Sequence, residues 1–302
     1  MTAAPAHPDD ATVPERHGAL IPRPPGPLVA QPAFRKEPVG SGHPIAGLQV
    51  LLLGPLTVVE DNGSEVEIPA ARLVRAVLQA LALRAGSVVQ LPELFNTVWG
   101  DDQPLSVGKC LQTYVGVLRR ALGSTTIQTV GGGYRLRVDE NNVDLHRFER
   151  YIGDGSAHLT QGKYRSAADS FSAALGIWRG EPLKELNDSP AGTAIQVRLA
   201  ELHGMAQERL FEARLGMGEH YILVGDLEAA VRTEPFRERR WEQLMIALYR
   251  SGRQGDALAA FDRMRALLDG NRLSPGDDIQ TLREAIARRD PGLTFTPRSS
   301  ER

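Results

Sequence analysis

The residues whose types and spacing point most clearly to a function lie in the segment 106–122. Apolar side chains recur there at helical spacing. The opposite face of this predicted helix carries Lys109, Gln112, Thr113, Arg119 and Arg120. Glutamine can pair bidentately with adenine, lysine reaches the acceptor atoms of guanine, and threonine and arginine hold phosphates or bases. The pattern predicts a helix that reads DNA, although a solvated surface helix would show the same pattern.

Charge is distributed unevenly along the chain. The 302 residues include 35 Lys and Arg and 37 Asp and Glu, for a formal net charge of −2. That balance taken alone argues against a nucleic-acid-binding protein, which usually carries a basic surface. Residues 103–138, however, contain no acidic side chain, and their basic residues are Lys109, Arg119, Arg120, Arg135 and Arg137. The local charge therefore supports DNA binding where the average does not.

Gly116 lies on the polar face of the same predicted helix. A glycine costs about 1 kcal/mol of helix propensity relative to alanine. Its missing side chain would also admit the close approach of another backbone.

Composition and motifs exclude several other classes of protein. No run of residues approaches the about 18 consecutive apolar positions of a membrane span, and the first residues lack the pattern of a signal peptide. Cys110 is the single cysteine, which excludes an internal disulfide and a cysteine-based metal site. The scattered histidines and the lack of a nucleophile elbow predict neither a metal site nor a catalytic triad. We expect a reduced, cytoplasmic protein that is not an enzyme and uses no cofactor.

The chain divides into four segments. Residues 1–47 hold 10 of the 20 prolines and predict a disordered extension. Residues 48–138 mix strands with helices, and residues 143–290 are helical throughout. Residues 291–302 predict a flexible tail. The length suits two domains, each with its own core.

The segment 48–138 has the element order of a winged helix. Ser106 is placed to cap its third helix, and three glycines, 131–133, predict a hairpin turn rather than a phosphate-binding loop. That hairpin would be the wing. In chain order the predicted elements are a small antiparallel sheet from 48–59 and 65–68, helices at 71–84, 91–99 and 106–122, and strands at 127–130 and 134–138.

The segment 143–290 predicts helical hairpins of the tetratricopeptide kind. Gly162, Ala167 and Phe171 recur at identical spacing as Gly252, Ala257 and Phe261. The second copy is preceded by Trp241-x-x-Leu244, which is typical of these repeats. We predict helices at 145–160, 163–178, 191–216, 219–233, 236–251, 254–269 and 277–289.

Both halves resemble a known family. The run LPELFNTVWGDDQPLSVGKCLQTYVGVLRRALG, followed by TVGGGYRL, is similar to the winged-helix domain of OmpR-type regulators. The runs VDLHRFERYI and ALGIWRGEPL are similar to the bacterial transcriptional activation domain. With both domains in this order, residues 48–290 resemble the Streptomyces antibiotic regulatory protein (SARP) family.

The resemblance implies specific roles for residues of this chain. It implies a transcriptional activator of a secondary-metabolite (antibiotic) cluster that binds direct repeats of double-stranded promoter DNA near the −35 element, with a second protomer, and that recruits RNA polymerase holoenzyme through its sigma factor. The implied DNA contacts are Ser106, Lys109, Gln112, Thr113, Arg119 and Arg120 in the recognition helix and Gly132, Gly133, Tyr134 and Arg135 in the wing. The implied polymerase-facing loop consists of Trp99, Gly100, Asp101, Asp102, Gln103, Pro104 and Leu105.

Two other functions remain open from the sequence. The helical half could form an interaction scaffold, with the winged helix making protein contacts, or it could gate a regulator by binding a small ligand. Binding to promoter DNA rather than scrambled DNA would separate the first hypothesis from the scaffold.

Overall fold

A computed structural model describes residues 47–295. These residues form two compact units, 47–223 and 224–295. The predicted disordered extension lies outside the described residues except for Gly47, and so does the end of the predicted tail, 296–302. The boundary between the units falls inside a helix of the helical half, so the units do not follow the two domains that the sequence predicts.

The first part of the chain contains strands and helices in the predicted order. The elements are β1 (Leu48–Leu51), β2 (Thr57–Glu60), α1 (Arg72–Ala82), β3 (Val88–Gln90), α2 (Leu91–Trp99), α3 (Val107–Leu122), β4 (Ile127–Val130) and β5 (Gly133–Leu136). Antiparallel pairing of β1 with β2 places Leu48 opposite Glu60 in a two-stranded sheet, and a second sheet has the strand order β3-β5-β4.

Two details of the sheets differ from the prediction. Residues 65–68 form no strand, because only Glu65 bridges to Val59 and a single further bond joins Val66 N to Val58 O before the chain leaves toward Pro69. β3 was not predicted, since three residues are too few to show an alternating pattern.

The apolar stripes of α1, α2 and α3 meet in one core. Val77, Leu81, Leu94, Leu111 and Leu118 are all 0 % exposed. Burial of such side chains contributes about 1.5–3 kcal/mol each. This core fixes the direction of α3 and leaves its polar face outside.

The second part of the chain is helical, as predicted. Its helices are α4 (Asp144–Thr160), α5 (Tyr164–Gly176), α6 (Pro190–Gly216), α7 (His220–Thr233), α8 (Glu238–Arg250), α9 (Gln254–Gly270) and α10 (Asp277–Ala287). Short 3₁₀ turns occur at Glu140–Asn142, Lys184–Leu186 and Pro291–Leu293. No helix in this or the preceding part of the described chain is both long and apolar enough to span a membrane.

Three helical hairpins have the same type of turn between their two helices. Gly162, Gly218 and Gly252 each have a positive φ, of 72°, 87° and 79°. The N–H of each glycine bonds a carbonyl three residues earlier, and the next N–H bonds one five residues earlier, which is the Schellman motif. The sequence predicted this repeat at Gly162 and Gly252. It missed the one at Gly218, where Leu223 and Leu227 stand in place of the Ala and Phe and are equally buried.

The start of the predicted flexible tail is packed. Leu293 is 3 % exposed within the turn Pro291–Leu293, and its carbonyl accepts a hydrogen bond of 2.9 Å from Arg250 Nε. The described residues 291–295 therefore belong to the fold of the second unit.

The winged helix and the start of the helical part are joined by a buried carboxylate. Asp144 is 0 % exposed, and its oxygens accept bonds from Leu52 N at 2.6 Å and Leu53 N at 3.1 Å. Arg179 Nη2 lies 3.6 Å from the same carboxylate. Residues on both sides of the predicted domain boundary thus form one unit.

Candidate nucleic-acid interface

Helix α3 presents one packed face and one open face. Leu111, Val115 and Leu118 are at most 1 % exposed and anchor the helix in the core. Ser106 is the N-cap residue, but its side chain caps no N–H. Its Oγ lies instead 3.8 Å from Cys110 Sγ. The predicted side-chain cap is therefore wrong, because the hydroxyl turns toward the cysteine.

The open face of α3 carries four of the six DNA contacts that are predicted for this helix. Lys109, Gln112, Thr113 and Arg120 are exposed, and their spacing places them on one side of the helix. Within the described part of the chain, the side chains of Lys109, Gln112 and Arg120 make no hydrogen bond or ion pair, whereas Thr113 Oγ1 donates to Lys109 O at 3.0 Å. Gly116 lies on the same side, and a Cβ at this position would meet nothing within 4 Å. This face can accept a ligand without losing internal contacts.

Arg119 has a different environment from the other predicted contacts. Its Nε donates to Ile127 O at 2.9 Å, and its Nη2 donates to Thr129 Oγ1 at 2.9 Å. The guanidinium lies over the ring of Tyr134, 6.0 Å from its centroid. Arg119 thus joins α3 to both strands of the wing.

The wing is a hairpin with a two-residue turn. Val130 pairs with Gly133, and Gly131 and Gly132 between them have φ angles of 44° and 83°. Two successive positive φ angles define a type I′ turn, whose twist matches that of the strands. The exposed tip of the wing therefore consists of Gly131 and Gly132. Gly131 is not among the predicted wing contacts, because identifying it requires the pairing of Val130 with Gly133.

Two predicted wing contacts are inside the sheet. A Cβ at Gly133 would lie 2.2 Å from Val89 O, and the Tyr134 side chain is only 6 % exposed. Gly133 serves the close approach of β3, and the ring of Tyr134 supports Arg119, so neither offers a side chain to a ligand. Arg135 is half-buried and lies opposite Gln128 in the sheet.

The predicted polymerase-facing loop separates into a buried base and an exposed part. Trp99 is 7 % exposed and stacks on Tyr114 of α3 at a centroid distance of 6.2 Å. Gly100 is buried and accepts a hydrogen bond of 2.9 Å from Gln103 Nε2. Trp99 and Gly100 are therefore packing residues. The exposed residues are Asp101, Asp102, Gln103, Pro104 and Leu105.

Other kinds of site are not evident in the described residues. Among them, no group of three or more His, Cys, Asp or Glu could hold a metal ion. An open cleft of about 440 Å³ lies beside the C-terminal end of α3, between Leu48 and Leu122. Its lining includes the carboxylates of Glu60 and Asp61, which would repel a phosphate backbone.

A winged helix with an open polar recognition face, followed by helical hairpins, defines a DNA-binding transcriptional regulator. Comparison with known families agrees in both parts. Residues 65–136 match the family described as "Transcriptional regulatory protein, C terminal". Residues 143–287 match the bacterial transcriptional activator domain.

Individual relatives are named as regulatory proteins. The chain is 38 % identical to the regulatory protein DnrI of Streptomyces peucetius over 82 % of this chain and 94 % of that protein. It is 32 % identical to the regulatory protein AfsR of Streptomyces griseus over 82 % of this chain but 25 % of that longer protein. The solved structure of Mycobacterium tuberculosis EmbR with a low-affinity phosphopeptide aligns at a TM-score of 0.75 and 32 % identity, covering 81 % of this chain and 66 % of that one. The chain belongs to the Streptomyces antibiotic regulatory protein family.

Proposed function

We propose that this regulator activates transcription by binding promoter DNA through the open face of α3 and the wing tip. The observation that carries the proposal is the set of Lys109, Gln112 and Arg120, whose side chains are exposed and uncommitted within the described residues. Glutamine and the two cations are the groups that read bases and neutralise phosphates in the major groove. Arg135 and the N–H groups of the turn Gly131 and Gly132 would contact the adjacent backbone.

The operator is proposed to be a direct repeat beside the −35 element, occupied by two protomers. A single winged helix of this kind offers few phosphate contacts, so its own affinity would be low and would fall steeply with salt. A second protomer on an adjacent repeat raises the effective concentration of each domain at its site. Cooperative binding would then supply the affinity that one protomer lacks.

The exposed loop 101–105 is proposed to contact RNA polymerase holoenzyme at its sigma factor. This loop offers two carboxylates, from Asp101 and Asp102, and the fully exposed side chain of Leu105. Acidic groups around a single apolar anchor suit a basic protein surface with a small apolar pocket.

The regulated genes are proposed to be those of an antibiotic biosynthetic cluster, because the relatives in Streptomyces are regulatory proteins of the same family. The work of this chain is proposed to be binding rather than catalysis, in the cytoplasm where the promoter is. Because the relatives are named as regulators, they favour this function over an interaction scaffold.

DNA binding can be tested with the full chain. Duplexes recovered by the chain from a random-sequence pool provide the probe for gel shifts. Lys109→Ala and Arg120→Ala should each weaken binding about fivefold or more. Arg165→Ala removes the same charge from an exposed position on α5 and should leave binding unchanged. Equal binding by all three variants, or no recovered duplex, would contradict the proposal.

Activation can be tested by placing the recovered duplex upstream of a minimal promoter and measuring transcription by Streptomyces RNA polymerase holoenzyme. Leu105→Asp should bind the duplex normally and lose most of the stimulation. Undiminished stimulation would contradict the assignment of the loop.

A further inference from the structure

The segment 183–190, called the clamp segment here, contacts the winged helix from the activation-domain side. Glu185 pairs with Arg75 Nε of α1 at 2.7 Å and also accepts a hydrogen bond from Gln79 Nε2. Arg72 Nη1 donates to Glu185 O at 2.9 Å and lies 3.1 Å from Asp188 Oδ2. The clamp segment therefore holds α1 through several charged contacts.

Ser189, in the same segment, connects two helices. Its side chain is buried, at 1 % exposure. Its Oγ accepts a bond of 2.9 Å from Gly192 N and so caps α6. The same Oγ donates a bond of 2.6 Å to Thr97 O in the last turn of α2. One hydroxyl thus begins a helix of the activation domain and holds the end of a helix of the winged helix.

Gly100 allows the two helix ends to meet. Its φ and ψ of 58° and −125° are accessible to glycine but costly for other residues. A Cβ at this position would lie 2.7 Å from Pro190 Cδ and 3.5 Å from Ser189. The backbone at the end of α2 therefore lies directly against the start of α6.

The exposed loop 101–105 takes its geometry from Gly100. Gln103 Nε2 bonds Gly100 O at 2.9 Å, and Asp102 N bonds Trp99 O at 3.1 Å. At the far end, Val107 N bonds Pro104 O at 2.9 Å. A shift of Gly100 would therefore move the side chains of Asp101, Asp102 and Leu105 together.

We infer that Ser189 is a positioning residue for transcription activation, through which the activation domain sets the conformation of the loop 101–105 on the winged helix. This inference rests on the proposed contact of that loop with RNA polymerase. It gives the activation domain a role that needs no polymerase contact of its own, because the domain orients a contact made by its neighbour. The DNA-reading face of α3 is anchored separately, by Leu111, Val115 and Leu118.

The test compares three full-length variants. Ser189→Ala removes the bonds of the hydroxyl to Gly192 N and Thr97 O, together with its longer contact of 3.2 Å to Leu186 O within the clamp segment. Ser189→Gly removes the bond to Thr97 but keeps most of the stability of α6, because glycine at an N-cap costs little relative to serine. Thr193→Ala is the matched control, since its hydroxyl bonds Ser189 O at 3.1 Å and Asn187 O at 3.2 Å and does not reach α2.

Each variant is measured in three ways: by transcription and by gel shift, both with the duplex that the unmodified chain recovers from a random pool, and by amide hydrogen exchange. Transcription by the holoenzyme should fall about fivefold in both Ser189 variants. A change of this size is what the loss of one buried hydrogen bond would produce in the population of the active conformation of the loop 101–105. Gel-shift affinity should stay within about twofold of the unmodified chain. Amide hydrogen exchange of residues 100–107 should rise in Ser189→Gly, and Thr193→Ala should resemble the unmodified chain in all three measurements.

Parallel loss of DNA affinity and transcription in Ser189→Gly would assign the residue a general structural role and overturn the inference, and so would undiminished transcription. If the unmodified chain recovers no duplex or stimulates no transcription, the proposed function itself fails, and the inference fails with it.

Discussion

The guanidinium of Arg119 lies over the ring of Tyr134, and these two residues connect the recognition helix to the wing. Arg119 also donates to Ile127 O and Thr129 Oγ1 on the neighbouring strand, both at 2.9 Å. Three contacts thus fix the angle between the two elements that would enter adjacent grooves of DNA. Arg119, which the sequence predicts as a DNA contact, thus has three contacts inside the winged helix.

Arg119→Ala should lower DNA affinity about tenfold and destabilise the chain by about 1–2 kcal/mol, because hydrogen bonds and a ring contact are lost together. The dependence of affinity on salt should stay the same, since no phosphate contact is removed. Gel shifts over a series of salt concentrations measure both quantities. A shallower salt dependence in Arg119→Ala would instead identify it as a phosphate contact.

Arg120→Ala should change the salt dependence of DNA binding, which Arg119→Ala should leave unchanged. Arg120 is exposed one residue further along α3. If it neutralises one phosphate, its removal should reduce the slope of log K against log salt by about 0.9. The same salt series serves for this measurement, with Arg165→Ala as the control for lost charge. An unchanged slope would remove Arg120 from the interface.

Gly116→Ala should change stability and DNA affinity in opposite directions. A Cβ at this position meets nothing within 4 Å, so alanine should stabilise α3 by about 1 kcal/mol. On the DNA-facing side the added methyl would hold the helix away from the groove, and affinity should fall several-fold. Urea denaturation and gel shifts measure the two effects. A variant that is more stable and binds equally well would show that DNA does not approach this point closely.

Stability should depend on pH through Asp144. Burial raises the pKa of Asp144 above its ordinary value of 3.8, although the amides of Leu52 and Leu53 and the charge of Arg179 act in the other direction. The folded carboxyl therefore keeps its proton to a higher pH than the unfolded one. Its contribution to the free energy of unfolding is largest below 3.8, falls as the pH rises to the folded pKa, and is constant above it.

Asp144→Asn removes this titration and retains one acceptor for the two amides. The free energy of unfolding of the native chain minus that of Asp144→Asn should therefore decline as the pH rises from 3.8. Urea denaturation at several pH values checks the sign, and a difference that grows with pH would contradict it. Asp144→Ala should cost more at every pH, roughly 1–3 kcal/mol for each amide left without an acceptor.

The pattern of neighbouring residues predicts most of the helices and strands, because a helix shows itself in apolar residues that recur every three or four positions. The stripe of Leu111, Val115 and Leu118 predicts the helix, and Ser106 before it places the start of α3 within one residue of the observed one. Glycine at a helix end predicts the turns at Gly162 and Gly252. The turn at Gly218 shows the same spacing, but leucines replace the small and aromatic residues, so a comparison of residue types misses it.

Contacts distant in sequence are not visible in local patterns. Asp144 looks like an acidic residue in the first turn of a helix, a common stabilising feature, yet it bonds amides 91 and 92 residues away. Tyr134 and Gly133 look like exposed wing residues until the pairing of β5 with β3 is known. The side-chain bonds of Arg119 also depend on the register of the hairpin, so its role requires the folded structure.

The bond between Ser189 and Thr97 and the bonds between Asp144 and the amides of Leu52 and Leu53 have a practical consequence for protein engineering. A chimera joined near residue 140 would take the donors of these bonds from one protein and the acceptors from another, and would combine mismatched halves of one unit. Exchange of operator preference between relatives should therefore transplant only the outward side chains of α3, at positions 109, 112, 113, 116 and 120. Alternatively, both domains, residues 48–290, should be transferred together.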